Sequence, residues 1–261
     1  MSEPLIVKLS SETITTKTKL TAAVVTVTSG REALEKCIQS IDAQTYPVTM
    51  HYIVTDAIVN FYEYQDLRNH YCSDKRSVSF WDGRIGGLGL EGRRLFAAAP
   101  ALVNEDVLFM LPDDDWFKPN HVESLMRLID AGNDWAYSLM SVYDQSGEFL
   151  FDDICECLGE LHPSWNTGKG FAPTGSIAMK TSLYANLSNC YNYRGFGPDR
   201  VFYDTAKQFY PKFASSGLHT NCFRLGGNET SSSRQFFEHG NRVMMERYNG
   251  KMPWKIGRAH V

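Results

Sequence analysis

The chain has 261 residues, which is enough for one large domain or for one domain with a smaller appendage. Hydrophobic residues make up 43% and charged residues 21%, a composition that is ordinary for a soluble globular protein. Twenty-six Lys and Arg residues stand against 30 Asp and Glu, so the net charge is −4 and the basic character expected of a nucleic-acid-binding protein is missing. The composition therefore favours a small-molecule partner and excludes no class of enzyme.

No apolar stretch is long enough to span a membrane, and the polar segment Met1–Lys19 lacks the apolar core of a signal peptide. The six cysteines include no CxxC pair, so neither a zinc site nor a disulfide framework is indicated. These features predict a cytoplasmic protein without an integral membrane segment.

The first half of the chain alternates predicted strands and helices. The β-branched run Ala22–Val27 ends in a Thr-Ser-Gly turn and predicts a buried parallel strand. A helix with Ser29 as its predicted cap follows, and Tyr52–Thr55 predicts a second strand that ends at Asp56. Strand, helix and strand in this order predict a right-handed βαβ unit. The helix is indicated by apolar residues at helical spacing: Leu34, Cys37, Ile38 and Ile41.

Three consecutive carboxylates follow a predicted buried strand near the middle of the chain. The apolar run Val107–Leu111 has the length of such a strand, and Pro112, which has no N–H to donate, is expected to end its pairing. Asp113–Asp115 would then lie at the carboxyl edge of the sheet, where open α/β sheets bind ligands. Because adjacent like charges repel, the cluster predicts a Mg²⁺ or Mn²⁺ ion shared with substrate phosphates. The alternative is a solvated turn or a helix cap.

After the aspartates the predicted strands become antiparallel. A turn at Asp144–Gly147 joins two of them, and Gly83–Gly89, earlier in the chain, is predicted to be a connecting loop. We expect a mobile segment over residues 1–19, one domain over 20–212 and an extension over 213–254. Residues 255–261 resemble a translated sequencing-library adapter and are expected to be a non-native tail. The later strands are predicted at Trp135–Val142, Glu148–Phe151 and Gly175–Met179, with one last strand from Phe213–Leu218 and Asn221–Leu225. Helices are predicted at Val122–Ile129, Val201–Gln208 and Phe236–Tyr248.

In this order the motifs resemble the family 2 nucleotide-sugar glycosyltransferases of the GT-A fold. The family opens with a strand, a Thr-containing turn and a helix that ends in a Gln-Thr-Tyr-Pro phrase, which is Gln44–Pro47 in this chain. Its next strand ends in an acidic residue, here Asp56, and its Arg-Asn pair before a small-residue helix is matched by Arg93–Arg94. Its DXD motif is matched by Asp113–Asp115, followed by Trp116. The resemblance covers roughly residues 22–205.

The resemblance implies a GT-A (Rossmann-like) three-layer α/β/α sandwich with a mixed, mostly parallel central sheet. It also implies a metal-dependent, inverting transfer of a sugar from a UDP, GDP or TDP donor to a glycan, lipid-linked or other hydroxyl acceptor, in the cytoplasm or at the membrane periphery. Asp115 and Asp113 are the expected ligands of Mn²⁺ or Mg²⁺. Pro112 stands where the family's first Asp stands, so the choice of the two acting aspartates stays open. The nucleotide-sugar-binding residues that the resemblance implies are Thr28, Ser29, Arg31, Asp56, Arg93, Asp113 and Asp114.

The family's catalytic base is an Asp at the start of a helix in the second half, a position that Asp199 occupies here. The alternatives are that Asp199 is only a helix cap and that Asp204, further into the helix, acts instead. For acceptor recognition the sequence offers several aromatic residues and a histidine, each of which is treated first as a core residue: Trp165, Phe171, Tyr191, Tyr193 and His219.

Two other functions stay open at this point. A nucleotidyltransferase would share the architecture and a metal, but the basic Gly-rich segment expected after its first strand is not supplied by Val27–Gly30. A catalytically inactive GT-A-fold protein that binds glycans or nucleotides is the second alternative, and Pro112 in the DXD region keeps it open.

Overall fold

The computed structural model describes residues 19–56, 61–80, 92–153, 172–195, 197–226 and 233–251. The Gly83–Gly89 loop, the 255–261 tail, Trp165, Phe171 and nearly all of the predicted mobile segment lie outside these residues. Across the described ranges, no helix has both the length and the apolar character needed to cross a membrane.

Within these ranges the chain forms nine strands and seven helices. The strands are β1 (Ala22–Thr28), β2 (Met50–Thr55), β3 (Arg76–Ser79), β4 (Val107–Pro112), β5 (Trp116–Phe117), β6 (Trp135–Tyr143), β7 (Phe149–Asp153), β8 (Ile177–Lys180) and β9 (Phe213–Arg224). The helices are α1 (Leu34–Asp42), α2 (Phe61–Tyr71), α3 (Arg93–Leu102), α4 (His121–Asp130), α5 (Thr181–Leu187), α6 (Pro198–Phe209) and α7 (Arg234–Arg247).

All the strands belong to one mixed sheet in the order β3-β2-β1-β4-β8-β6-β9-β5, with β7 paired to β6. The first four strands are mutually parallel, and β9 is parallel to β6, whereas β8 is antiparallel to both β4 and β6. Strand β1 lies between β2 and β4, and all seven of its residues are buried, because helices cover both faces of the sheet.

Alternate residues of β1 enter two different cores. Ala23 and Val25 pack with residues of α3, α5 and α6, whereas Ala22 and Val24 pack with residues of α1 and α4. This period of two is the side-chain alternation of a strand, and it places helices on both sides of the sheet. The predicted three-layer α/β/α arrangement around a mixed sheet is therefore confirmed.

The Gln-Thr-Tyr-Pro phrase joins α1 to the segment that follows the aspartates. The side-chain N–H of Gln44 donates to the carbonyl of Lys118 at 3.0 Å, and its amide oxygen accepts the backbone N–H of Val122 at 3.0 Å. The hydroxyl of Tyr46 donates to the carbonyl of Leu20 at 2.6 Å. The phrase thus fixes the beginning of α4, and with it the exit from the aspartate turn, against α1.

Two details differ from the sequence prediction. Ser29 does not cap α1, because the helix begins at Leu34 after Ala33, which makes no side-chain cap hydrogen bond. The segments Phe213–Leu218 and Asn221–Leu225, which the sequence predicts to add a last strand, form one strand, β9, and this strand pairs with β6 in the central sheet. The boundary drawn at residue 212 therefore does not separate this segment from the sheet.

Two histidines are buried beside the sheet as neutral imidazoles. His51 shares a 2.9 Å hydrogen bond with the Thr26 hydroxyl, and Arg76 donates to its Nδ1 at 3.3 Å. His121 shares a 2.8 Å hydrogen bond with the Thr220 hydroxyl and stacks on Phe117. Burial lowers the pKa of each to about 3, with Arg76 contributing at His51.

The free energy of unfolding is therefore expected to fall as the pH is lowered from about 6.5 toward 3, because the unfolded chain takes up these protons first. Between pH 7 and pH 5 each histidine contributes a loss of roughly 2 kcal/mol. Urea unfolding of the chain and of a double His51→Gln, His121→Gln variant tests this. An unchanged pH dependence in the double variant would contradict it.

Candidate active site

Three of the predicted site residues, Thr28, Asp56 and Asp113, lie together because β1 is in register with its parallel neighbours. Thr28, the last residue of β1, is opposite Thr55 of β2, and Val27 is opposite Pro112 of β4. The N–H of Asp56 donates to the carbonyl of Thr28 at 2.6 Å. The carboxyl ends of parallel strands share one edge of a sheet, so the acidic residues that follow β2 and β4 meet the turn after β1 there.

Asp113 is fully buried at this edge and is held by two side chains, one from the last residue of β1 and one from the turn after it. The hydroxyl of Thr28 donates to its Oδ2 at 2.7 Å, and Arg31 donates to both carboxylate oxygens, from Nη2 at 2.5 Å and from Nε at 3.3 Å. The Thr28 hydroxyl also accepts the N–H of Gly30 at 2.9 Å, and the left-handed φ of +80° at Gly30 lets the chain turn back there. Burial raises the pKa of Asp113, and Arg31 and Thr28 partly offset this shift.

Arg31 also contacts the next carboxylate, since its Nη1 donates to Asp114 at 3.0 Å. One guanidinium therefore balances two adjacent negative charges, and its side chain stays 39% exposed. Ser29, the remaining predicted residue of this turn, is exposed between Thr28 and Gly30.

Asp115 lies in a different environment from its two neighbours. It is buried, and one of its oxygens accepts the backbone N–H of Arg224, at the end of β9, at 3.0 Å. Burial and then the charge of Asp114 raise its pKa well above the usual range, and the Arg224 N–H partly offsets this shift. In the part of the chain that is described, no side chain donates a hydrogen bond to this carboxylate.

The described residues contain no group of three or more His, Cys, Asp or Glu side chains that could hold a metal ion by themselves. A Mg²⁺ or Mn²⁺ ion commonly takes one or two protein carboxylates and completes its shell with water and substrate phosphates. Asp115 fits such a ligand because a cation would relieve its repulsion from Asp114. Asp113 is less suited, since Arg31 and Thr28 already occupy both of its oxygens.

Two cations beside Trp116, the residue that follows Asp115, were not identified from the sequence. The Nζ of Lys36, on α1, lies 3.4 Å from the centre of the Trp116 ring, and the guanidinium of Arg224 lies 5.5 Å from the same ring. Arg224 reaches Asp115 because Trp116 pairs with Cys222 across β5 and β9. Asp115 and Arg224 are 109 positions apart in the sequence, so no local pattern predicts their hydrogen bond.

Arg93 connects the strand edge with the loop before α6. The residue before it, Gly92, packs so closely on β1 that an added Cβ would come within 2.7 Å of Val27 and 3.9 Å of an Asp56 oxygen. The Nη1 of Arg93 donates to the carbonyl of Gly195 at 2.9 Å. This hydrogen bond joins the predicted nucleotide-binding side of the site to the segment that carries Asp199.

Asp199 lies in the first turn of α6, after Gly197, which has a left-handed φ of +76°, and Pro198. Its Oδ1 accepts the N–H of Arg200 at 2.9 Å. The N-cap residue of the helix is Gly197 and not Asp199. Burial raises the pKa of Asp199 to about 6, and the positive charges of Arg93 and Arg200 partly offset this shift. A carboxylate with this pKa is ionised at neutral pH and still basic enough to accept a proton.

The other acidic and acceptor-side candidates differ in their burial and contacts. Asp204 is one turn further into α6, 39% exposed and 3.8 Å from the guanidinium of Arg200. Tyr191 is a core residue, Tyr193 is 48% exposed, and His219 contacts the carbonyl of Asp153 at 3.1 Å through its Nε2.

Replacing Arg31 by Met is expected to destabilise the fold, because the buried Asp113 carboxylate would lose its counter-charge. Breaking a buried ion pair costs about 3–5 kcal/mol, and the partial exposure of Arg31 reduces the expected loss to roughly 2 kcal/mol. The loss should shrink as the pH falls, since protonation removes the charge on Asp113. Urea unfolding at several pH values measures it, with Arg127→Met, which removes an exposed ion pair, as the control. Equal effects of the two substitutions would contradict this interpretation.

Comparison with known proteins gives a likeness of fold. No protein-family model matches the chain, and no curated protein does. Among solved structures, S. aureus TarS 1–349 in complex with UDP-GlcNAc is 14% identical with a TM-score of 0.57, over 91% of this chain and 69% of that one. The same protein in complex with UDP is 13% identical with a TM-score of 0.55, over 91% and 68%.

The chain spans 41% of a longer TarS chain, at 13% identity and a TM-score of 0.55. Sequence identity this low carries no residue roles, but the similarity extends over 91% of the present chain. This structural similarity establishes the GT-A fold that the sequence predicts.

Proposed function

We propose that the chain is a glycosyltransferase that moves a sugar from a nucleotide-diphosphate donor to a hydroxyl group of an acceptor, with the help of Mn²⁺ or Mg²⁺. The observation that carries this proposal is the presence of two carboxylates with different environments, one suited to bind a cation and the other suited to accept a proton. Asp115, beside the strand edge, has oxygen available for a cation, and Asp199, tied to that edge through Arg93, has a pKa suited to a base. The TarS structures with UDP-GlcNAc and UDP favour a uridine diphosphate donor.

In this proposal the strand edge binds the nucleotide. Asp56 would accept hydrogen bonds from the nucleobase or ribose. Asp113, held by Thr28 and Arg31, would support the same part of the donor. A metal ion bound by Asp115 would neutralise the charge that develops on the leaving diphosphate. Arg224, whose backbone N–H donates to Asp115, adds the positive charge of its guanidinium on this side of the site.

Asp199 would act on the acceptor. Its carboxylate removes the proton of the attacking hydroxyl while that oxygen bonds to the anomeric carbon and the nucleotide diphosphate leaves with the electrons of the broken bond. A single displacement of this kind inverts the anomeric configuration. Arg93 keeps Asp199 ionised near pH 7 and holds the preceding loop through Gly195.

A second candidate is a protein of the same fold that binds a nucleotide or glycan without turnover. The bonds from Arg31 to Asp113 and Asp114 favour it, because the protein already neutralises two of the three aspartates. Donor hydrolysis distinguishes the two functions, since only the transferase consumes the nucleotide sugar.

Asp115→Asn is expected to weaken metal-dependent UDP binding at least tenfold, a loss of about 1.4 kcal/mol, because the amide oxygen carries no charge. Calorimetric titration of UDP, GDP and TDP with and without Mn²⁺ measures this, with Asp74→Asn in an exposed turn as the matched control. Affinity for the metal should also fall as the pH is lowered, since Asp115 must be deprotonated. If the unmodified chain bound none of these nucleotides with any metal, the enzyme proposal would fail.

Turnover is expected to decline below about pH 6, because Asp199 becomes protonated there and loses its function as a base. Asp199→Asn should lower kcat by roughly 10²–10⁴ and leave UDP binding intact, whereas Asp204→Asn should keep most activity. Arg93→Met should move the acid limb to higher pH, since removing this positive charge raises the pKa of Asp199. An acid limb unaffected by Arg93→Met would argue against the proposed relation of these two residues.

A further inference from the structure

A groove of about 750 Å³ runs along α6. Its walls are α5, α6 and the short 3-10 segment Ser188–Asn192 between them. None of the ten described residues that line it carries a charge. The α5–α6 groove is thus defined by Asn186, Leu187, Asn189, Cys190, Asn192, Tyr193, Val201, Thr205, Phe209 and Tyr210.

The groove combines exposed aromatic rings with neutral hydrogen-bonding groups. Phe209 is 64% exposed and Tyr193 48% exposed, which makes them two of the six large hydrophobic side chains left exposed among the described residues. Two such rings on one concave surface indicate a binding site better than scattered exposed residues do. Aromatic rings offer flat apolar faces, and Tyr adds a hydroxyl that can face water or a polar ligand.

The asparagines are already oriented but retain hydrogen-bonding capacity. Asn186 donates one amide N–H to the Tyr210 hydroxyl at 3.0 Å, and Asn192 donates to the Asn189 oxygen at 2.9 Å. A carboxamide has two N–H donors and an oxygen with two acceptor positions, so each of these residues can make further bonds. Groups that both donate and accept, without a net charge, suit a ligand with many hydroxyls.

The groove begins close to the proposed base. Tyr193 is two residues before Gly195, the residue held by Arg93. Val201 and Phe209 lie on one face of α6, the helix whose first turn carries Asp199. A helix rises 1.5 Å per residue, so the groove extends to about 15 Å from Asp199 along the helix axis.

We propose that the α5–α6 groove binds a neutral saccharide chain, as a site that holds an extended acceptor beside the proposed transferase centre. The assignment of that chain as acceptor depends on the proposed function. A charged peptide or a nucleic acid would leave its charges unmatched here, and a partner helix would find only two aliphatic side chains, Leu187 and Val201. A neutral sugar chain matches both the amides and the aromatic rings.

Cys190 provides a direct probe, because its half-buried thiol lines the groove, whereas the exposed Cys72 lies outside it. The chain is alkylated with iodoacetamide, with and without neutral tetrasaccharides of N-acetylglucosamine, cellulose or starch type. Mass spectrometry follows both cysteines. At twice its Kd a bound sugar should slow the alkylation of Cys190 about threefold, since protection follows the occupied fraction. The alkylation of Cys72 should not change.

Phe209→Ser should abolish this protection, and Phe149→Ser, which removes a ring that is also more than half exposed but lies outside the groove, should preserve it. Absence of protection by all three sugars overturns the proposal. Protection that depends on protein concentration and not on sugar would assign the groove to contact with a second copy and also overturn it.

This experiment tests the saccharide-site proposal and the transferase proposal separately. The alkylation needs no donor, and UDP binding is measured on the same Phe209→Ser protein. Protection of Cys190 without any UDP binding would support the saccharide site and contradict the proposed transferase function. Intact UDP binding without protection would overturn the groove proposal and leave the transferase standing.

Discussion

The burial of one carboxylate, that of Asp113, is the constraint on which the arrangement of the site depends. A charged group can remain in a core edge only if its hydrogen bonds and its charge are satisfied, and here Thr28 and Arg31 supply both. This requirement fixes the turn after β1, including the left-handed residue Gly30, against the end of β4. The two strands that bring these groups together are neighbours in register, so the sheet itself determines the position of the turn.

Once Asp113 is satisfied from within the protein, the three consecutive aspartates are no longer equivalent. Asp114 shares Arg31, while Asp115 turns toward the end of β9 and, among the described residues, accepts a backbone N–H and no side-chain donor. The carboxylate with the least internal compensation is the one with most to gain from an external cation. A run of identical residues thus separates into an internal anchor and a candidate ligand, through differences in their hydrogen-bond partners.

The second half of the chain meets this edge through Arg93. Its bond to the Gly195 carbonyl ties the loop before α6 to a helix whose start packs on the ends of β1 and β2. Burial of Asp199 in this position raises its pKa to about 6, and the charges of Arg93 and Arg200 partly offset the shift, which leaves a value suited to a general base. The same helix also forms one wall of the uncharged α5–α6 groove.

The sequence by itself determined the strands and helices that carry the site. The buried run of β1, the strand that ends at Pro112 and the acidic residues after β2 and β4 were predictable, because burial period and the missing N–H of proline are local properties. Local pattern also suggested a cap at Ser29, which the tertiary structure replaced with a longer turn serving Asp113. Only the tertiary structure decided the partners of each carboxylate. Arg224 reaches Asp115 across 109 residues, because β9 pairs with both β6 and β5, and a burial pattern specifies the face of a strand but not its neighbour.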